Sequence, residues 1–130
     1  MIGERRALQI VVVLACIVPI SAGAFGVYSG SSFLADHPSS SLQDSHFRYL
    51  SGLLLAIGIL FLTAVPRIER HGVRFRVLTG IVAVGGLARL AAALLLGPFS
   101  ASVLFALAME LVVTPGVMLW QRRIQRAVNR

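Results

Sequence analysis

Lysine is missing from this sequence: all twelve of its basic residues are arginine. Acidic residues are scarce as well, five in a chain of 130. Charged residues reach 13%, about half the share of an ordinary soluble domain, which argues against a water-facing surface of normal extent. Cysteine occurs once, at Cys16, so no internal disulfide can form and no paired-cysteine redox or metal motif exists. There is no glycine-rich phosphate loop, no nucleophile signature and no haem-ligand pair. What remains is apolar. Hydrophobic residues make up 57% of the chain, and its mean hydropathy is +0.85.

The charges gather in short segments and leave four long stretches nearly bare. We read these as four transmembrane helices, over residues 7–27, 48–65, 75–96 and 101–120, each near the ~20 residues a span needs. The runs lack the alternation of strands, and a spanning sheet would have to close into a barrel. The expected fold is all-α, a four-transmembrane-helix bundle in a single membrane domain over residues 1–130. Arg5 and Arg6, the apolar core after them and the SAGA run at 21–24 also have the outline of a cleavable signal peptide. Apolar character continues past that site through Phe25 and Val27, so the first span reads as retained.

Arginine placement sets the expected orientation. Arg5 and Arg6 precede the first span, the PRIERHGVRFR connection at 66–76 holds four arginines, and the tail QRRIQRAVNR at 121–130 holds four more. The opposite connections have none, apart from Arg48 at the start of the second span. Both termini are therefore expected to be cytoplasmic, in a bacterial inner membrane, with the arginines facing anionic lipid headgroups. Nucleic acid is not an expected partner, because no soluble basic face with aromatic platforms exists. Tyr28, Phe33, Phe47 and Tyr49 fall at the outer boundary and Trp120 at the inner one, as interfacial aromatics do. The outer loop, 29–47, is serine-rich and carries Asp36, His37, Asp44 and His46. Gly97, Pro98, Phe99 and Ser100 form a tight turn, which makes spans three and four antiparallel neighbours. The arginine-rich tail should lie along the headgroups with Ile124 and Val128 on its other face.

One arginine breaks the pattern. Arg89 lies inside GGLARLAAALLLG at 85–97, and an unpaired charge at a span centre costs about 2.5–3.5 kcal/mol on insertion scales. Glu110, in LAMELVVTPG at 107–116, is the one acid within a span. Arg89 is eight residues before Gly97, about 12 Å of helix, and Glu110 ten residues after Ser100, about 15 Å. Side chains lean toward their own helix N-terminus, so on antiparallel helices these two lean toward one level. They are expected to pair. Gly85, Gly86, Ala92 and Ala93 beside Arg89, and Ala106 and Thr114 beside Glu110, would let the helices approach closely. Pro115 should bend the fourth span below the glutamate.

A second polar group opens the second span in DSHFRYLSG, 44–52. Arg48 can extend to the interface or reach down toward Glu110, in competition with Arg89. Asp44, His46, Arg48, Tyr49, Arg89 and Glu110 are thus the candidate ligand-site residues, expected to line a cavity open to the outer face. The arginines suit a carboxylate or an anionic headgroup, and His46 or Glu110 is placed for acid–base work. Asp44, His46 and Glu110 have the donor atoms of a divalent metal site, but their spacing is not diagnostic and no metal is assigned. No cofactor is indicated. His37 and His71 read as solvated loop residues.

The elements DSHFRYLSGLLLAIGILF, GGLARL and MELVVTPGVMLW together resemble an uncharacterised bacterial family of four-span membrane proteins, domain of unknown function 4345. The likeness runs from about Asp44 to Trp120. It implies a four-helix membrane bundle and puts Arg48, Tyr49, Gly52, Arg89, Glu110 and Pro115 at the family's motif positions. It implies no activity. More distantly, the layout is similar to the four-span DoxX and DoxD group, some of which are linked to quinone-dependent sulfur oxidation. The expected function is that of a small multi-pass membrane protein, a binding or accessory subunit of a larger membrane assembly, and not an enzyme. The alternative is an intramembrane enzyme or binding protein for a quinone, lipid or small anionic compound. A small exporter is a third reading, weakened because small multidrug exporters carry their glutamate in the first span without a basic partner.

Overall fold

A computed structural model of the chain describes residues 2–32, 40–97 and 99–129, and these are helical, without strands among them. Phe33, Asp36, His37, Pro98 and Arg130 lie outside the described residues. Helix α1 is Ile2–Ser29 and α2 is Ser41–Ala64, which passes into a 3-10 segment, Val65–Arg70. Helix α3 is Gly72–Leu96. Helix α4 spans Ala101–Val128, in two α-helical pieces, Ala101–Ala108 and Thr114–Val128, joined by a π-helical turn at Met109–Val113. All four are long and apolar enough to cross a membrane.

Several helices are longer than the apolar runs. Helix α2 begins at Ser41, seven residues before Arg48, because Ser40 and Gln43 form a reciprocal capping box. The Gln43 amide donates to Ser40 Oγ (3.2 Å), and the Ser40 amide to Gln43 Oε1 (3.1 Å). Helix α4 starts after Ser100, whose Oγ accepts from the Val103 amide (3.3 Å), and it continues beyond Trp120 to Val128.

The chain divides into two compact units. One is Gln9–Pro66, and the other combines Met1–Leu8 with Arg67–Arg130. In the first, α1 and α2 approach backbone to backbone. A Cβ on Gly23 would lie 2.6 Å from the Leu55 amide nitrogen, and one on Gly58 would lie 2.8 Å from Ile20 Cγ1. Close glycine contacts of this kind supply dispersion where lipid removes the hydrophobic drive between helices. Proline inside α1, at Pro19, is accommodated without breaking the helix, and nearby Ser21 Oγ donates to the Ile17 carbonyl at 2.6 Å.

The C-terminal end of each helix in this unit is held by the other helix. Arg48 of α2 donates through Nη1 to the carbonyls of Val27 (2.6 Å) and Tyr28 (2.9 Å), in the last turn of α1. Gln9 of α1 donates through Nε2 to the Val65 carbonyl (2.8 Å), just past α2. These are the orphan carbonyls of helix C-termini, and a cation there also meets the negative end of the helix dipole. In the second unit, α3 and α4 run antiparallel. The base of their hairpin is built on Leu8, Ile68, Phe75, Gln121 and Ile124, all buried, with Gln121 Nε2 donating to the Ile68 carbonyl (2.8 Å).

Candidate functional site

In the α3–α4 hairpin the two charges of the spans meet. Arg89 Nε lies 3.0 Å from Glu110 Oε2, and Nη2 lies 3.0 Å from Oε1, a parallel two-bond fork. That geometry is the strongest form of a carboxylate–guanidinium contact. Gly86, one turn before Arg89, makes room for it: a Cβ there would sit 2.9 Å from Glu110 Cβ and 2.9 Å from Leu111 Cδ2. The carboxylate is the better covered partner, with 19% of its side chain exposed against 45% for Arg89.

The π turn falls on the glutamate. Met109–Val113 holds one residue more than an α-helical turn would, and the Thr114 amide reaches back five positions to the Met109 carbonyl. Thr114 Oγ1 donates to the same carbonyl at 2.7 Å. Pro115 is the cause in the sequence. It has no N–H for the Leu111 carbonyl and its ring would press on that group, so the helix widens before it and resumes with proline in the first turn of the next piece. The expected bend is thus an inserted residue, beside the acid that pairs with Arg89.

Beyond the pair, α3 and the start of α4 leave an open groove of about 250 Å³, lined by Arg89, Ala92, Ala93, Leu96, Gly97 and Val103. Its α3 residues follow one helix face from Gly97 down to the guanidinium.

The other candidates belong to the α1–α2 unit, whereas Arg89 and Glu110 belong to the α3–α4 unit. Arg48 and Asp44 are engaged with each other and with the end of α1. Arg48 Nε is 2.8 Å from Asp44 Oδ2, one helical turn away. Asp44 Oδ1 accepts from the Ser31 amide (2.8 Å) and from Ser31 Oγ (3.2 Å). Gly30 joins the two segments at φ 66°, a left-handed conformation, and a side chain there would run into Asp44. Arg48 and Asp44 therefore build the corner that returns the chain from α1 toward α2. Tyr49, 63% exposed, and His46, also exposed, stand on the same helix, α2. His71 is the residue before α3 and makes no side-chain cap bond. Among the described residues, no three His, Cys, Asp or Glu side chains come together to hold a metal ion.

The remaining described arginines belong to the unit of α3 and α4, where two glutamates meet them. Arg5 Nε lies 3.1 Å from Glu69 Oε2, and Arg123 Nη2 lies 3.5 Å from Glu4 Oε1. Arg48 and Arg89 each have a carboxylate of their own, so among the described residues the excess positive charge lies with these other arginines.

Gln9 and Gln121 escape a reading that follows charge, because both are neutral. The available signal is a long amide side chain near the end of an apolar run, which can reach a terminal carbonyl.

A membrane hairpin with a paired charge, a π turn and a small-residue groove is the class of site present. The sequence profile of the family described as domain of unknown function (DUF4345) matches residues 7–121, and the chain belongs to that family. No curated protein and no solved structure matches the chain.

Proposed function

We propose that this chain is a multi-pass protein of the bacterial inner membrane that works as a binding subunit in a larger membrane assembly. Its termini face the cytosol, which places the arginine-rich base of the α3–α4 hairpin among anionic headgroups. One observation carries the binding role: the Arg89 guanidinium, paired with Glu110, is still 45% exposed within a span. Hydrocarbon offers no acceptor for its remaining N–H groups, so something other than acyl chain belongs against it. Little of α4 is covered within the chain itself; its apolar window is 6% buried. Lipid can cover the apolar face of α4, but the open side of the polar pair calls for a polar group from outside. Purification in mild detergent should bring down a stoichiometric membrane protein, and Ala93→Phe, which fills the groove, should release it. A clean monomer from both proteins would refute the subunit role.

The groove favours a second reading, a small lipid-soluble ligand. The groove, about 250 Å³ and lined mostly by small and apolar side chains beside the Arg89 guanidinium, is of a size to take the head of a small molecule. Mass spectrometry of the protein released from nanodiscs should then find one non-protein molecule per chain.

A further inference from the structure

We infer that the α3–α4 groove selects an electrically neutral lipophile carrying one hydrogen-bond-accepting oxygen, such as a ketone, ester or alcohol, and rejects anions. This rests on the small-ligand reading of the groove. Two arginines in a membrane protein suggest an anion at first sight, yet neither is available as a net charge. Arg48 is spent on Asp44 and the end of α1. Arg89 is neutralised in a two-bond fork by Glu110. An anion entering the groove would meet a guanidinium whose charge is already balanced by a carboxylate 3.0 Å away, and would lose its hydration for no net attraction.

Hydrogen-bond donors are still present. Guanidinium has five N–H groups in a fixed fork, and the pair with Glu110 occupies two, leaving three. The other walls of the groove are apolar or small: Ala92, Ala93, Leu96, Gly97 and Val103. A donor with no free charge at the foot of an apolar track matches an acceptor oxygen on an otherwise apolar body. Position agrees. The track follows α3 from Gly97 to Arg89, eight residues or about 12 Å, so the acceptor lies below the headgroups, where uncharged lipophiles reside.

The test uses the full chain in nanodiscs with 2-decanone labelled by ¹³C at the carbonyl, read by infrared spectroscopy. We expect a red-shifted carbonyl band that saturates at one ketone per chain. 2-Decanol should displace it, while decane, decanoate and decylammonium should compete about tenfold more weakly, the worth of one hydrogen bond to a charged donor. Ala93→Phe and, separately, Ala92→Leu should remove the band while leaving the thermal midpoint near that of the parent. Displacement by decanoate at or below the 2-decanol concentration would overturn the neutrality argument. So would a carbonyl band that never saturates in the parent protein, an outcome that needs no variant to fold. A stoichiometric protein partner without ketone binding would leave the subunit role standing and remove only this inference.

Discussion

In an Arg89→Ala protein, the Glu110 carboxylate loses two guanidinium donors, each now at 3.0 Å, and stays within a span. The lone acid costs about 2.5–3.5 kcal/mol on insertion scales, less whatever protonation or water recovers. Glu110→Ala leaves the converse problem, softened because Arg89 is long, 45% exposed and able to extend toward the interface, so about 1–2 kcal/mol is expected. The double variant, Arg89→Ala with Glu110→Ala, removes both charges and leaves alanines among Gly85, Gly86, Ala92 and Ala93, at a cost near 1 kcal/mol for lost contact. The coupling energy is then about 2.5–4.5 kcal/mol, less whatever protonation or water recovers in Arg89→Ala, and well above the ~0.6 kcal/mol average for hydrogen bonds between membrane helices. Thermal midpoints of the four proteins in one detergent, with abundance in isolated membranes as a second readout, close the cycle. The double variant should be more stable than Arg89→Ala alone. Additive losses would mean that the fork contributes nothing, and the account of the hairpin would fail with it.

Arg48→Ala should destabilise the chain by about 2–3 kcal/mol, since it strips Asp44 of its partner and the Val27 and Tyr28 carbonyls of their donor. Tyr49→Phe, on the exposed side of the same helix, should stay within about 0.5 kcal/mol; equal losses for the two would contradict the corner described here. Gly23→Val should cost about 1–3 kcal/mol or more in thermal stability, because its Cβ would press on the Leu55 backbone, whereas Gly80→Ala, with open space around it, should be neutral or better. Pro115→Ala restores an amide donor after the π turn, so hydrogen exchange near 110–115 should slow; an unchanged pattern would place the origin of the bulge elsewhere.

The helices were legible because lipid leaves so few alternatives: an apolar run of span length has to satisfy its backbone internally. Their ends were less so. The Ser40–Gln43 capping box is present in the sequence as S-x-x-Q, but a reading driven by hydropathy starts α2 at Arg48, where the apolar run begins. The meeting of Arg89 with Glu110 could be argued from depth alone, since a tight turn fixes both distances. Arg48 was harder. Hydropathy places it at an interface with a free guanidinium, while the i, i+4 spacing from Asp44 was the better guide, and its reach to the end of α1 depends on a corner at Gly30 that no periodicity announces. Proline signalled a disturbance at 115 but not its form, because kinking and π-bulging both relieve the same clash. The groove could not be read at all. It exists only where the alanines of α3 face Val103 of α4, a property of two helices together.

The central claim is that a balanced charge pair inside the membrane holds something at its open side. Solid-state NMR of the chain in lipid bilayers, with ¹⁵N in arginine and ¹³C in glutamate carboxylates, tests it most directly. The account predicts strong dephasing for an Arg89–Glu110 contact with nitrogen and oxygen 3.0 Å apart, together with magnetisation transfer from the Arg89 guanidinium to a non-acyl carbon outside the chain. Loss of the short contact, or a guanidinium that sees only acyl chains, would contradict it.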